Sequence, residues 1–162
     1  MDRTIGIDYG RKRTGLAVSD PLGIFASALD TVDSTKIIDY LKKYAEKETI
    51  VAFVLGFPVN MDGRPSEAAA DVKQFQTLLE RSFPGIPVEL EDERFTSVLA
   101  HRAMIDAGMK ARDRKDKKSV DRISAAIILQ SWLDRRNGSG TAGLDPSRVP
   151  SSMSRNVTRR KR

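Results

Sequence analysis

The sequence predicts an α/β fold, a mixed central sheet with helices on both faces, and three observations carry that prediction. Strand-like stretches crowd the N-terminal third, the first two reading as a hairpin pair. A short continuous apolar run at residues 50–55 has the pattern of a central strand covered on both sides. Beyond it, helix and strand patterns alternate, which is how helices come to cover two faces of one sheet.

Residues 4–9 read as a buried strand ending in Asp8-Tyr9-Gly10, followed by a turn rich in basic residues. Residues 14–19 form its hairpin partner and residues 24–32 a third strand. Ser34 or Thr35 then caps a helix running to about Glu48, with Ile37, Ile38, Leu41 and Tyr44 on its apolar face. After the central strand at 50–55, residues 56–64 are mostly turn formers. A helix over 66 to about 80 stops before Pro84-Gly85, and a strand follows at 88–91. A further helix is expected over 97–107 with Gly108 as its stop, then a charged loop at 110–118. Residues 120–133 read as the last helix, with Ile123, Ala126 and Ile127 at helical spacing. From Asn137 the chain is rich in Gly, Ser and Pro and then basic, with almost no apolar content, so it is expected to be disordered in isolation. The expected organisation is a domain over 1–136 and a basic tail over 137–162, without internal repeats.

At 162 residues the chain is long enough for one domain with a core and too short for two. No apolar run approaches the roughly 20 residues of a membrane span. The N-terminus lacks a secretory pattern, so a cytoplasmic location is expected. The absence of cysteine excludes disulfides, thiolate zinc sites and cysteine nucleophiles. The sole histidine, His101, falls within a predicted helix and is assigned no catalytic role. Any metal site is therefore built mainly from oxygen, which suits Mg²⁺ or Mn²⁺. A net charge of +6 points to a polyanionic partner. Six of the basic residues lie beyond Asn137 against Asp145 alone, leaving 22 basic and 21 acidic residues in the remainder. The excess belongs to the tail, so it says little about the folded part.

The chemical signal is a set of carboxylates at element ends. Asp8 terminates an apolar strand beside Gly10, which permits close backbone approaches. Glu91, Asp92 and Glu93 close another strand, and Asp121 opens the last helix. Carboxylates converging from separate elements can hold hard cations that activate water and stabilise the leaving oxygen in phosphodiester hydrolysis. Plainer readings exist for each. Asp121 in a first helical turn complements the helix dipole, residues 91–93 form a solvated strand exit, and Asp8 bonds its own turn.

The stretch Ile7-Asp8-Tyr9-Gly10-Arg11-Lys12-Arg13-Thr14-Gly15-Leu16-Ala17-Val18-Ser19-Asp20 resembles the opening motif of the YqgF family. These are the Holliday-junction-resolvase-like proteins, also described as pre-16S ribosomal RNA nucleases. Three further blocks follow in order. They are Val54-Leu55-Gly56-Phe57-Pro58-Val59-Asn60-Met61-Asp62-Gly63, then Asp92-Glu93-Arg94-Phe95-Thr96-Ser97, then Lys117-Lys118-Ser119-Val120-Asp121 running on through Gln130. Together they span residues 1 to about 136, and four ordered blocks are far more specific than one. The resemblance implies a ribonuclease-H-like fold, its first strands antiparallel and the later ones parallel. It also implies that Asp8, Glu93 and Asp121 are the catalytic, metal-binding carboxylates. Asp92 is the weaker alternative to Glu93, since the two point to opposite faces if the strand continues that far. Where the family closes its third block with Thr, this chain has Ser97, which keeps the hydroxyl. The tail lies outside the pattern.

Around this set, Arg11, Lys12 and Arg13 read either as phosphate grips or as a solvated turn. Arg94 reads as a substrate contact or as a clamp on a neighbouring carboxylate, and Asn60 as a substrate contact or a turn former. Lys117 and Lys118 close a basic run that leads into Asp121 and would steer substrate there. Trp132 with Leu129 and Leu133 reads as core packing.

The expected function is a Mg²⁺- or Mn²⁺-dependent endonuclease on structured nucleic acid, acting as a monomer or homodimer without a membrane. The resemblance implies processing of the 5′ end of pre-16S rRNA first and resolution of four-way DNA junctions second. A resolvase would work as a symmetric dimer. A non-catalytic binding factor on the same fold is a second class, and gathering negative charge beside phosphates argues against it. A phosphotransferase of the actin/hexokinase-like type would need two lobes, for which the chain is too short.

Overall fold

The computed structural model describes residues 1–60, 62–64, 66–99, 101 and 117–138. Five strands, β1 (Asp2–Asp8), β2 (Arg13–Ser19), β3 (Ala26–Asp33), β4 (Thr49–Phe57) and β5 (Val88–Asp92), form one sheet in the order β3-β2-β1-β4-β5. β1 pairs antiparallel with β2, and β2 with β3. β4 lies parallel to both β1 and β5. The mixed sheet, antiparallel first and then parallel, is the one expected.

Alternation along the strands decides what lies on each face. Ile5, Ile7, Phe53 and Leu55 point to one side, where they pack with Ile37 and Leu41 of helix α1 (Ile37–Lys47) and Val72, Phe75 and Leu79 of helix α2 (Glu67–Ser82). Ala17 and Val54 point to the other side, against Ala125, Ile128, Leu129 and Trp132 of helix α3 (Lys117–Asn137). β4 is apolar on both sides because both are covered. Trp132 is core, as expected, and its indole N–H donates to Glu89 Oε2 at 2.6 Å.

Several boundaries differ from the sequence reading. Neither Ser34 nor Thr35 caps α1. Asp33 instead accepts the Thr35 N–H and caps a 3₁₀ turn, Ser34–Lys36, that precedes it. β3 starts at Ala26 because Asp20 binds the N–H groups of Ile24 and Phe25 and holds them in the β2–β3 loop. Lys117 and Lys118 belong to α3, not to a loop, which puts Asp121 one turn into the helix and removes the first-turn dipole role considered for it. The helix expected over 97–107 and the loop before Lys117 lie mostly outside the described residues, as does the tail from 139 onward.

Candidate active site

β1 delivers Asp8 at its C-terminal end. Ile5 and Ile7 face α1 and α2, so Asp8 shares the opposite face with α3. Its partner across the hairpin is Gly15. A Cβ at Gly15 would lie 2.0 Å from the Asp121 carbonyl oxygen, so the absence of a side chain there is what lets α3 settle with Asp121 beside Asp8. On the other flank, Gly56 of β4 follows the Ile7–Leu55 pair. A Cβ on Gly56 would stand 3.3 Å from Glu93 Oε1 and 2.6 Å from Ile128 Cδ1. Two glycines thus flank Asp8, one admitting the backbone of Asp121 and the other the carboxylate of Glu93.

β5 ends at Asp92, and Glu93 begins a 3₁₀ turn, Glu93–Phe95. The strict alternation used to separate Asp92 from Glu93 therefore stops between them, yet their environments still differ. Glu93 is only 4% exposed. Asp92 is clamped by Arg94, whose Nη2 donates to Oδ2 at 2.8 Å, and this guanidinium holds the Asp92 carboxyl below the usual carboxylate range. Arg94 thus makes the carboxylate clamp that was one of its two readings. Glu91 does not belong to a solvated exit. It is fully buried, its Oε2 accepts from Arg135 Nη2 at 2.5 Å, and burial pushes its carboxyl up against the opposing pull of Arg135.

The turn after Asp8 is pinned from below. The Ser34 hydroxyl donates to the Gly10 carbonyl at 2.5 Å and shares a hydrogen bond with Thr14 Oγ1, while the Ser34 N–H donates to the Lys12 carbonyl. Arg11 of this turn and Arg13 at the start of β2 reach carboxylates on different helices. Arg11 Nε meets Asp71 Oδ2 of α2 at 2.7 Å, and Arg13 Nε meets Asp121 Oδ2 of α3 at 2.9 Å. Lys12 is exposed. In front lies a cleft of about 560 Å³ whose lining includes Arg11, Lys12, Arg13, Asp71, Lys117 and Asp121. Lys117 and Lys118 are exposed at the start of α3. Asn60 shapes its loop through the backbone, its N–H donating to the Arg64 carbonyl and its carbonyl accepting from Gly63. Sequence reasoning did not find Asp71, whose partner is set only by how α2 docks.

The oxygen-only donors of Asp8, Glu93 and Asp121 suit a hard cation in chemistry. Among the described residues, however, no three Asp, Glu or His side chains lie together closely enough to hold an ion. Asp121 is drawn to Arg13 instead.

A family model described as "RuvX: Holliday junction resolvase" matches residues 2–135. The chain belongs to the RuvX family. This is the kinship indicated by its four sequence blocks. A relative from Phocaeicola vulgatus, named "Putative pre-16S rRNA nuclease", is 48% identical over 136 residues, which cover 84% of this chain and 98% of that protein. One of the same name from Azobacteroides pseudotrichonymphae is 52% identical over 134 residues, covering 83% and 97%. Among solved structures, T. thermophilus RuvC in complex with Holliday junction substrate gives a TM-score of 0.50 at 19% identity, over 86% of this chain and 98% of that one. That likeness is one of fold, and the RuvX chain has the expected ribonuclease-H-like architecture.

Proposed function

We propose that this RuvX protein is a divalent-metal-dependent endonuclease that trims the 5′ end of pre-16S rRNA. The observation that carries the reading is Asp8 at the sheet end with Gly15 and Gly56 on either flank, through which Asp121 and Glu93 approach. The relatives' name supplies the substrate. Asp8, Glu93 and Asp121 are the ligands in this reading, and Mg²⁺ or Mn²⁺ bound there supplies an activated water and stabilises the leaving oxygen. Arg11, Lys12, Lys117 and Lys118 line or border the cleft and hold the phosphate backbone, which needs no base readout for a folded RNA. Arg13 joins them when its pair with Asp121 opens. Arg94 acts indirectly, by fixing Asp92 beside Glu93. Asn60 contributes through the shape of its loop. Such work belongs in the cytoplasm, and among the described residues no helix is long and apolar enough to cross a membrane.

The family's description favours a second substrate, the four-way DNA junction. The deciding experiment offers a labelled precursor-rRNA fragment and a labelled junction to wild type and Asp8→Asn, with and without Mg²⁺ or Mn²⁺. Metal-dependent cutting of the RNA that disappears in the variant is the expected result. Cutting of the junction alone selects the second reading. If neither substrate is cut while both proteins bind equally well, the catalytic reading fails and a binding factor takes its place.

A further inference from the structure

The turn that carries Arg11 and Lys12 is fixed from outside the cleft. We propose that Ser34 is a positioning residue for nucleic-acid binding, holding this turn so that both cations meet a phosphate backbone already in place. The inference rests on the reading of Arg11 and Lys12 as phosphate contacts.

Little in the turn holds it from within. No backbone hydrogen bond joins residues 9–12 to one another. Gly10 has no side chain to brace the bend, and a Cβ there would stand 2.6 Å from the Arg13 carbonyl oxygen, so a larger residue could not do so either. The bracing comes instead from one residue at the junction of β3 and α1. The Ser34 hydroxyl donates to the Gly10 carbonyl at 2.5 Å, which leaves its oxygen to accept from Thr14 Oγ1 at 2.8 Å. The Ser34 N–H donates to the Lys12 carbonyl at 3.0 Å. Groups on Gly10, Lys12 and Thr14 thus all end on a single serine. Thr14 is fully buried and Ser34 half-buried, so water competes poorly for these bonds. Ser34 is itself held in place. Asp33 accepts the Thr35 N–H and caps the 3₁₀ turn Ser34–Lys36, and Asp33 is also the residue opposite Arg13 in the β2–β3 ladder.

Ser34 is not among the residues lining the cleft, so it reaches the substrate only through the turn. Arg11 has a second tether in Asp71, but any phosphate that reaches the guanidinium competes for that bond. The Ser34 bonds to Gly10 and Lys12 hold main chain and survive whatever the cationic side chains do. A turn fixed in advance spares the ordering cost that a loose one meets on binding. The serine therefore acts on affinity without contributing a charge.

The test measures binding of a labelled precursor-rRNA fragment in the absence of divalent metal, so that nothing is cut. The full chain is compared as wild type, Ser34→Ala, Ser34→Thr, Arg11→Gln/Lys12→Gln, and Arg11→Gln/Lys12→Gln combined with Ser34→Ala. Ser34→Ala is expected to weaken binding about threefold or more, within the range for residues coupled in one hydrogen-bonded network. Ser34→Thr keeps the hydroxyl and should bind like wild type. In the Arg11→Gln/Lys12→Gln background Ser34→Ala should change little, because the cations it acts through are gone. Thermal unfolding of each variant checks that the fold is kept. An equal loss in both backgrounds overturns the inference, since the serine then acts on the fold at large. Unchanged binding in Ser34→Ala, beside a clear loss in Arg11→Gln/Lys12→Gln, overturns it while leaving the phosphate contacts intact. A loss in Ser34→Thr as large as in Ser34→Ala also overturns it, because the hydroxyl is then not what matters. If Arg11→Gln/Lys12→Gln binds as tightly as wild type, the phosphate-contact reading fails and the role of Ser34 falls with it.

Discussion

Gly15 and Gly56 show how much of the site depends on atoms that are absent. The ideal Cβ of an alanine at Gly15 meets main-chain atoms of Asp121 and Arg122, at 2.0 Å for the nearest oxygen, and main chain cannot swing aside. Gly15→Ala must push α3 off the sheet, and overpacking of this kind costs about 1–3 kcal/mol. At Gly56 the nearest atom is the end of the flexible Ile128 side chain, with Glu93 Oε1 next. Gly56→Ala is therefore expected to keep most of its stability and still lose cleavage, by displacing the Glu93 carboxylate. Urea unfolding and the rRNA cleavage assay, run on both variants, check this ordering. A Gly15→Ala protein as stable as wild type would show that α3 does not rest on Gly15. Asp8 itself was legible in the sequence, because an acid closing an apolar strand is visible locally. The work of the two glycines was not, since what they admit comes from α3 and from the end of β5, far along the chain. Arg13 was singled out as a phosphate grip for the same local reason, and its bond to Asp121 became visible only once α3 was in place.

The elements were read correctly in type and order over the described residues, and they erred at the ends, where a few side chains decide. Asp33 rather than Ser34 or Thr35 provides the cap because a carboxylate can accept from both the N–H and the hydroxyl of Thr35, at 2.9 and 2.7 Å. Asp20 likewise takes the N–H groups of Ile24 and Phe25, at 2.7 and 2.8 Å, which delays β3. α3 extends past both expected ends through tertiary contacts that no local pattern contains. The Thr31 hydroxyl bonds the Lys118 carbonyl near one end, and the Asn137 side chain donates to the Gly23 carbonyl at the other. The two capping acids also make a pH prediction. The Phe25 and Ile24 N–H groups hold the Asp20 carboxyl below its ordinary 3.8, against a smaller opposing effect of burial. The Thr35 hydroxyl and N–H do the same for Asp33. A carboxyl depressed in the folded state adds stability that is present above the unfolded value of 3.8 and lost as pH falls through the lower folded one. The gap in urea midpoint between wild type and Asp20→Ala/Asp33→Ala should be open at neutral pH and close in acid below 3.8. A gap of the same size in strong acid would mean that these caps act through shape rather than charge.

At the scale of the whole molecule, the two-sided sheet was legible because β4 is apolar on both faces and helix and strand patterns alternate beyond it, a pattern that calls for helices above and below. The charge distribution was equally plain in the sequence, and it separates binding from chemistry. The chain up to Asn137 and the segment beyond it have different electrostatic characters in sequence, with 22 basic and 21 acidic residues before Asn137 and six basic against one acidic after it. The cleft holds cations already committed in part to Asp71 and Asp121, so on the proposed reading any grip on phosphate there is local. Residues 139–162 instead offer Arg148, Arg155, Arg159, Arg160, Lys161 and Arg162 to any polyanion. A chain ending at Gly138 should therefore bind duplex nucleic acid more weakly at low salt. Its slope of log affinity against log salt should be shallower by up to about 5, at roughly 0.9 for each phosphate that is no longer neutralised. Its cleavage position and metal dependence should match those of the full chain, because every residue assigned to the chemistry lies before the cut. Filter binding across a salt series, alongside cleavage mapping, reads both quantities on the same preparations. An unchanged slope would place the phosphate-binding cations before residue 139 after all, and a changed cleavage position would make the basic segment a determinant of where the substrate sits in the cleft.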